Sequence, residues 1–365
     1  MARPFCFKGP AWCSALFQPE PAALTEPDSP APNSPQKQRR PFRWLLWFGV
    51  IVLLLSAMAG GAGLYGWQRY TGPGPLVADK ALVIPRGSGV AAISRQLAEA
   101  GITRHPLELA IAMRLRRDGA GLRAGEYAFP AGISLKAAIE LILSGKTVVR
   151  RFTVPEGLTA WQIVELLKAD PALSGDVAAV PAEGSLLPET YHYSYGDARA
   201  DLLARMQTDM AKALEKLWAE RAPDLPIMSK EQAVILASVV EKETGVAAER
   251  PRVAGVFINR LRQGMKLQSD PTIIYALSQG KGSIDRALTR ADWKLDSPYN
   301  TYMVDGLPVG PIANPGLLSL QAVLKPEANR YLYFVADGTG GHAFAETLDQ
   351  HNRNVVQWRK VRDGE

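Results

Sequence analysis

Cysteine is almost missing from this chain: Cys6 and Cys13 are the two among 365 residues. Both precede an apolar run that begins at Trp44, so the remainder has no thiol to pair and a disulfide-stapled fold is excluded. No cysteine follows that run either, which removes the lipid-modified cysteine of a lipoprotein. Histidine is scarce too, with four in all, and neither His342 nor His351 belongs to a His/Asp/Glu cluster at metal-ligand spacing. No metal is expected. Gly338-Thr339-Gly340-Gly341 is rich in glycine but lacks the Gly-Lys-Ser/Thr ending of a phosphate-cradling loop, so nucleotide binding is rejected and no cofactor is expected. A sustained charge excess is also lacking. The net charge is +6, but residues 1–70 hold seven Lys/Arg against three Asp/Glu, so most of the excess lies there. The basic balance is therefore no argument for a nucleic-acid partner.

What the chain does have, near its start, is a stretch of 24 residues from Trp44 to Trp67 without Asp, Glu, Lys, Arg or His. At about 1.5 Å per residue such a helix crosses the roughly 30 Å hydrocarbon core of a bilayer. Trp44, Trp47, Tyr65 and Trp67 sit near its two ends, where amphipathic rings favour the membrane–water interface. Lys37, Arg39, Arg40 and Arg43 crowd its N-terminal side, against Arg69 alone on the other. The positive-inside rule then predicts a single-pass helix in the cytoplasmic (inner) membrane, with a cytoplasmic N-terminus and everything beyond about residue 70 outside. Ala57-Met58-Ala59 offers the competing reading of a cleaved signal peptide; the long preceding segment and the charge-free run through Trp67 favour an uncleaved anchor. The proline-rich residues 1–43 read as a disordered cytoplasmic tail.

Beyond the linker Thr71-Gly72-Pro73-Gly74-Pro75, a pattern repeats. Val83-Ile84-Pro85-Arg86-Gly87 leads to Ile93 and Leu97, and Thr153-Val154-Pro155-Glu156-Gly157 leads to Ile163 and Leu167 at the same offsets. Each reads as a strand ending at Pro-x-Gly, followed by a helix of period near 3.6. Ala124 to Gly132 is a third strand-turn, feeding a helix over 135–144. Helices are predicted over 161–169, 198–220, 230–244, 250–263 and 270–279, a strand over 331–336 and a closing helix over 345–361. The fold class is α+β: a transmembrane helix at 44–67, a small module at 76–150, and a mainly helical domain at 151–365.

The chemistry concentrates in Ser238-Val239-Val240-Glu241-Lys242-Glu243-Thr244, where two acids close an apolar helical run. Low-dielectric surroundings disfavour an ionised carboxylate, so such acids are candidates for a raised pKa, as a proton donor to a sugar–sugar bond requires. Glu241 and Glu243 point to nearly opposite sides of a helix, and periodicity does not choose between them because Val234 to Val240 is apolar on nearly every side. The bland alternative is a pair of surface charges at a helix end, paired with Lys242 or Arg250.

Together with Arg252-Val-Ala-Gly-Val-Phe-Ile-Asn-Arg-Leu261, Leu267-Gln-Ser-Asp-Pro-Thr272, Leu187-Pro-Glu-Thr-Tyr191, Ser297-Pro-Tyr-Asn-Thr-Tyr302, Gly306-Leu-Pro-Val-Gly-Pro-Ile312, Gly341-His-Ala-Phe344 and His351-Asn352, this segment resembles the endolytic murein transglycosylase (YceG-like) family. The resemblance implies a membrane-anchored lytic transglycosylase acting on peptidoglycan glycan strands. It would cut the β-1,4 bond between N-acetylmuramic acid and N-acetylglucosamine, using the muramic C6 hydroxyl as nucleophile to leave a 1,6-anhydro end. One residue then serves as acid and next as base, and the family pattern implies Glu241. It further implies that the module at 76–150 is LysM-like, against a plain spacer, and that the protein contacts cell-wall synthases (penicillin-binding proteins) and limits nascent strand length. Gln268, Asp270, Tyr299, Asn300 and Thr301 are expected substrate-binding residues, with His342 and Asn352 bonding the cleft or each other; Tyr302 and Phe344 are candidates to stack on sugar faces. Asp270 also fits a helix N-cap before Pro271. Two rival functions stay open: a hydrolase of the same bond with Asp270 or Glu189 as second carboxylate, and a non-catalytic membrane-tethered glycan-binding scaffold.

Overall fold

The computed structural model describes residues 42–116 and 121–363, so the tail expected at 1–43 falls almost wholly outside the described residues. The chain divides into two units, 1–63 and 64–365. Helix α1, Phe42–Thr71, spans 30 residues, and every side chain from Trp44 to Trp67 is exposed. Its length and composition suffice to cross a membrane. That suitability is consistent with membrane anchoring.

The larger unit is built on three small cores. In the first, strand β1 (Lys80–Ile84) runs through helices α2 (Val90–Glu99) and α3 (Pro106–Leu115) to its antiparallel partner β2 (Gly125–Phe129), and α4 (Leu135–Ser144) closes the group. Ile84, Ile93, Leu97, Leu109, Tyr127 and Ile139 fill its interior. The second core repeats the theme. Strand β3 (Val149–Thr153) pairs antiparallel with β4 (Thr190–Ser194) across helix α5 (Ala160–Ala169), and the first half of α6 (Arg199–Ala219) packs on them. The two Pro-x-Gly segments are the tight turns from β1 and β3 toward α2 and α5. Gly87 at φ +81° and Gly157 at φ +76° occupy the left-handed region that a side chain disfavours, so glycine is required at both.

The third core is helical. Helix α7 (Lys230–Glu243) lies between α8 (Arg250–Arg262) and α10 (Leu317–Leu324), with α9 (Asp270–Ser278) across its end. A hairpin of β5 (Tyr333–Ala336) and β6 (His342–Ala345) carries the last helix, α11 (Leu348–Asp363). The expected helices over 161–169, 230–244, 250–263 and 270–279 differ from α5, α7, α8 and α9 by a residue at an end. The closing helix starts at Leu348 rather than Ala345 because Ala345 pairs with Tyr333 in the hairpin.

Candidate active site

Helix α7 starts at an N-cap, with Ser229 Oγ accepting from the Gln232 amide. It then buries Ala233, Val234 and every residue from Leu236 to Val240. A helix buried nearly all round delivers its final turn into the interior, so Glu241 and Glu243 both leave the helix among other groups rather than into water.

They meet opposite surroundings. The Glu241 side chain is 4% exposed, and both of its oxygens accept hydrogen bonds: Oε1 from Arg250 Nη2 at 2.9 Å, Oε2 from the Gly316 amide at 3.0 Å. The same guanidinium nitrogen donates to Glu156 Oε2 at 2.8 Å, and Lys242 Nζ donates to the Gly157 carbonyl at 3.2 Å. This is a clamp. It ties the end of α7 to the Pro155–Gly157 turn and to Gly316, where a Cβ would lie 1.9 Å from Glu156 Oε1. Both Glu241 oxygens are thus engaged, one by a cation and one by a backbone amide, which favours the ionised form over the proton-carrying one.

Glu243 accepts one side-chain hydrogen bond, from Ser269 Oγ. Burial pushes its carboxyl up to about 7, the charge of Asp270 adds to the rise, and the Ser269 hydroxyl with the charges of His342 and Arg260 restrains it. Arg260 is itself buried, which lowers its pKa; it donates to the carbonyls of Leu332 at 2.7 Å and Leu267 at 2.6 Å. A carboxyl group poised near neutrality can both give and recover a proton at physiological pH.

The segment facing Glu243 is held rigidly. Ser269 donates its amide to Thr301 Oγ1 at 2.9 Å, and its carbonyl accepts from Thr272 Oγ1 at 2.6 Å. Gln268 is exposed with φ +51°, a strained backbone for a residue with a side chain. Asp270 is exposed beside it, and its Oδ1 accepts from Tyr302 OH at 2.7 Å and Trp293 Nε1 at 3.2 Å.

The expected site residues therefore separate into groups. Gln268 and Asp270 are exposed on either side of Ser269, whose hydroxyl bonds the largely buried Glu243. Asn300 and Thr301 are fully buried. Asn300 Nδ2 donates to the carbonyls of Trp293 and Leu295, its Oδ1 accepts the Tyr302 amide, and Thr301 holds Ser269 and Thr272, so both brace the loop. Tyr299 packs into the helical core with its ring 4.8 Å from that of Tyr275. His342 does not bond Asn352. Its Nδ1 meets Glu249 Oε2 at 2.7 Å, while Asn352 is exposed on α11. Phe344 lies against Phe334 and under the Arg252 guanidinium. Glu189, exposed at the edge of β4, makes no contact with Glu243. Sequence reasoning missed Ser269, Trp293, Glu156 and Gly316. Ser269 sits between two residues that were noted, and no local signal marks the others. Among the described residues no group of three or more His, Cys, Asp or Glu is placed to hold a metal ion.

Fold and site thus define a mixed helix-and-strand protein with a partly buried carboxylic acid at the end of its central helix. A sequence model of the YceG-like family matches residues 82–357, and the chain belongs to that family. It is 33% identical over 331 residues to the endolytic murein transglycosylase of Bacillus subtilis (strain 168), spanning 80% of this chain and 89% of that one. A relative of the same name from Streptococcus pneumoniae (strain D39) is 29% identical over 363 residues, covering 85% of this chain and 65% of the longer protein. A crystal structure of a YceG-like protein from Listeria monocytogenes is 30% identical, covers 75% of this chain and 98% of that one, and superposes with a TM-score of 0.47.

Proposed function

We propose that this chain is an endolytic peptidoglycan lytic transglycosylase in which Glu243 performs both proton transfers. The Bacillus subtilis and Streptococcus pneumoniae relatives are named endolytic murein transglycosylases, and lytic transglycosylase is the enzyme class of this chain. The observation that carries the assignment within the Glu-Lys-Glu cluster is the contrast between its acids: Glu243 is raised to about 7 by burial, whereas Glu241 is committed to Arg250 and Gly316. The family pattern alone led to Glu241; the geometry favours Glu243.

In the reaction, the Glu243 O–H gives its proton to the glycosidic oxygen as the bond from muramic C1 to that oxygen breaks. The C6 hydroxyl then attacks C1, and its proton passes to the Glu243 carboxylate. A 1,6-anhydro ring forms, the acid is regenerated and no water is consumed. Asp270 raises the acid electrostatically and Ser269 Oγ orients it. The hydrolytic alternative needs a second carboxylate to activate water, and Asp270, with Oδ1 holding two rings, is its candidate.

The chain acts from the outer face of the cytoplasmic membrane, anchored by α1 with its N-terminus inside. The 76–150 module holds glycan in the manner of a LysM-like unit, and contact with the synthases would let the enzyme release strands during their elongation. Digestion of sacculi with Glu243→Gln and Glu241→Gln, read by mass analysis of the ends, tests the reading. General acid–base catalysis contributes roughly 10²–10⁴-fold, so Glu243→Gln should lose at least that much activity while remaining folded. Anhydro ends made by Glu243→Gln at the wild-type rate would overturn the assignment, and reducing ends from the wild type would select the hydrolase.

A further inference from the structure

An aromatic pair, Trp293 exposed and Tyr302 half-buried, lies near the proposed acid and is held by hydrogen bonds as well as by packing. Trp293 is 38% exposed yet anchored at three points. Its indole Nε1–H donates to Asp270 Oδ1, and its carbonyl accepts from Asn300 Nδ2 at 3.1 Å. The preceding residue, Asp292, accepts from both terminal nitrogens of Arg286, at 2.6 and 2.9 Å, and from the amide and hydroxyl of Thr289. Tyr302 donates to the same Asp270 oxygen, leaving the two rings 6.3 Å apart and tilted by 36°. Asp270 Oδ2 accepts no hydrogen bond among the described residues, and Asp270 is exposed.

We infer that Trp293, with Tyr302 behind it and Asp270 Oδ2 at its edge, is a subsite for one pyranose ring of the glycan strand next to the scissile bond. A pyranose presents an apolar C–H face and a rim of hydroxyl and acetamido donors. The first suits an exposed indole plane, and the second suits an unengaged carboxylate oxygen beside that plane. Ser269, next to Asp270 in the chain, donates its hydroxyl to Glu243, and Asp270 acts electrostatically on that carboxyl, so a sugar seated here lies close to the acid. A rigid aromatic also loses little freedom on binding, which is the advantage of fixing it beforehand. The identity of the sugar rests on the glycan-cleaving reading; the existence of the subsite is tested separately.

The test measures binding, not cutting, in full-length Glu243→Gln protein by calorimetry with the soluble hexamer of N-acetylglucosamine. Because no turnover is read, the result is independent of whether Glu243 is the acid. Covering about half of an indole face corresponds to roughly a ten-fold gain in affinity, so Trp293→Ala should weaken binding about ten-fold. Trp293→Phe should restore it to within about three-fold, and Trp293→Leu, apolar but without a flat face, should not. Asp270→Asn should weaken binding of its own accord. Equal affinity for the Leu and Phe variants, or wild-type affinity for Trp293→Ala, would overturn the subsite. Thermal unfolding of each variant separates lost binding from a lost fold, and the Phe-against-Leu comparison decides if the alanine variant does not fold.

Discussion

Glu241 and Glu243 stand two residues apart, and their surroundings give them different consequences when altered. Glu243 holds its proton up to about pH 7, against an ordinary value of 4.5. The folded protein therefore binds that proton more tightly than the unfolded chain does. The stability contributed by this carboxyl is fully present below about 4.5 and declines as pH rises through about 7. Glu243→Gln removes the titration. Its unfolding free energy relative to wild type should rise across that window by about 2–3 kcal/mol, which denaturant melts at pH 4.5 and pH 8 would detect. A flat difference would mean that the carboxyl is not raised. The same group must start protonated to cleave, so kcat/KM should fall as pH climbs above about 7, and loss of activity only above pH 9 would point to another acid. Glu241 sits in a buried ion pair. Its carboxylate and the Arg250 guanidinium are 4% and 8% exposed, and without Glu241 the guanidinium keeps Glu156 as a carboxylate partner. Breaking a buried pair outright typically costs about 3–5 kcal/mol, so Glu241→Ala should unfold earlier in denaturant by less than that amount.

At the scale of elements, the end of α7 is fixed by two pieces distant in the sequence, the Pro155–Gly157 turn and the segment ending at Gly316. Asn314 reinforces the same junction: its Nδ2 donates to the Leu158 carbonyl at 3.0 Å and its Oδ1 accepts the Leu186 amide at 2.9 Å. Gly316 is required there by close approach, not by its backbone angle, because an added methyl group would meet the Glu156 carboxyl. Overpacking typically costs about 1–3 kcal/mol, so Gly316→Ala should destabilise by that order. Glu156 is the flexible side of the contact, and Glu156→Ala should recover part of the loss. Additive effects of the two substitutions in a double-mutant cycle would show that they do not share one contact.

For the whole molecule, one helix suited to a membrane and three small cores set the organisation. If α1 is an uncleaved anchor with its N-terminus inside, the full-length protein should sediment with membranes, and protease added to spheroplasts should digest the chain beyond about residue 70. A soluble product beginning near Gly60 would instead identify a signal peptide. Should the 76–150 module hold glycan, deleting it should weaken pelleting with sacculi, and unchanged pelleting would reduce it to a spacer.

Periodicity and composition alone made α1, α5, α7, α8 and α9 legible, because in each the apolar spacing or the cap lies within the segment. The Pro-x-Gly repeat was legible for the same reason: the left-handed turn is encoded by one glycine. Helix α10 was not, since Leu317–Leu324 is a short, nearly unbroken apolar run whose period is ambiguous. Strands β4 and β6 escaped because a four- or five-residue strand is defined by the partner it pairs with. The site divides the same way. The sequence determined that two acids end an apolar helix and that Gln268 and Asp270 accompany them. Only the tertiary structure decided that Arg250 and Gly316 bond Glu241, that Ser269 and burial fall to Glu243, and that Asn300 and Thr301 are buried with their side chains bonded within the loop. Desolvation and charge pairing depend on neighbours nine to 94 residues away in the chain, and no local pattern carries that information.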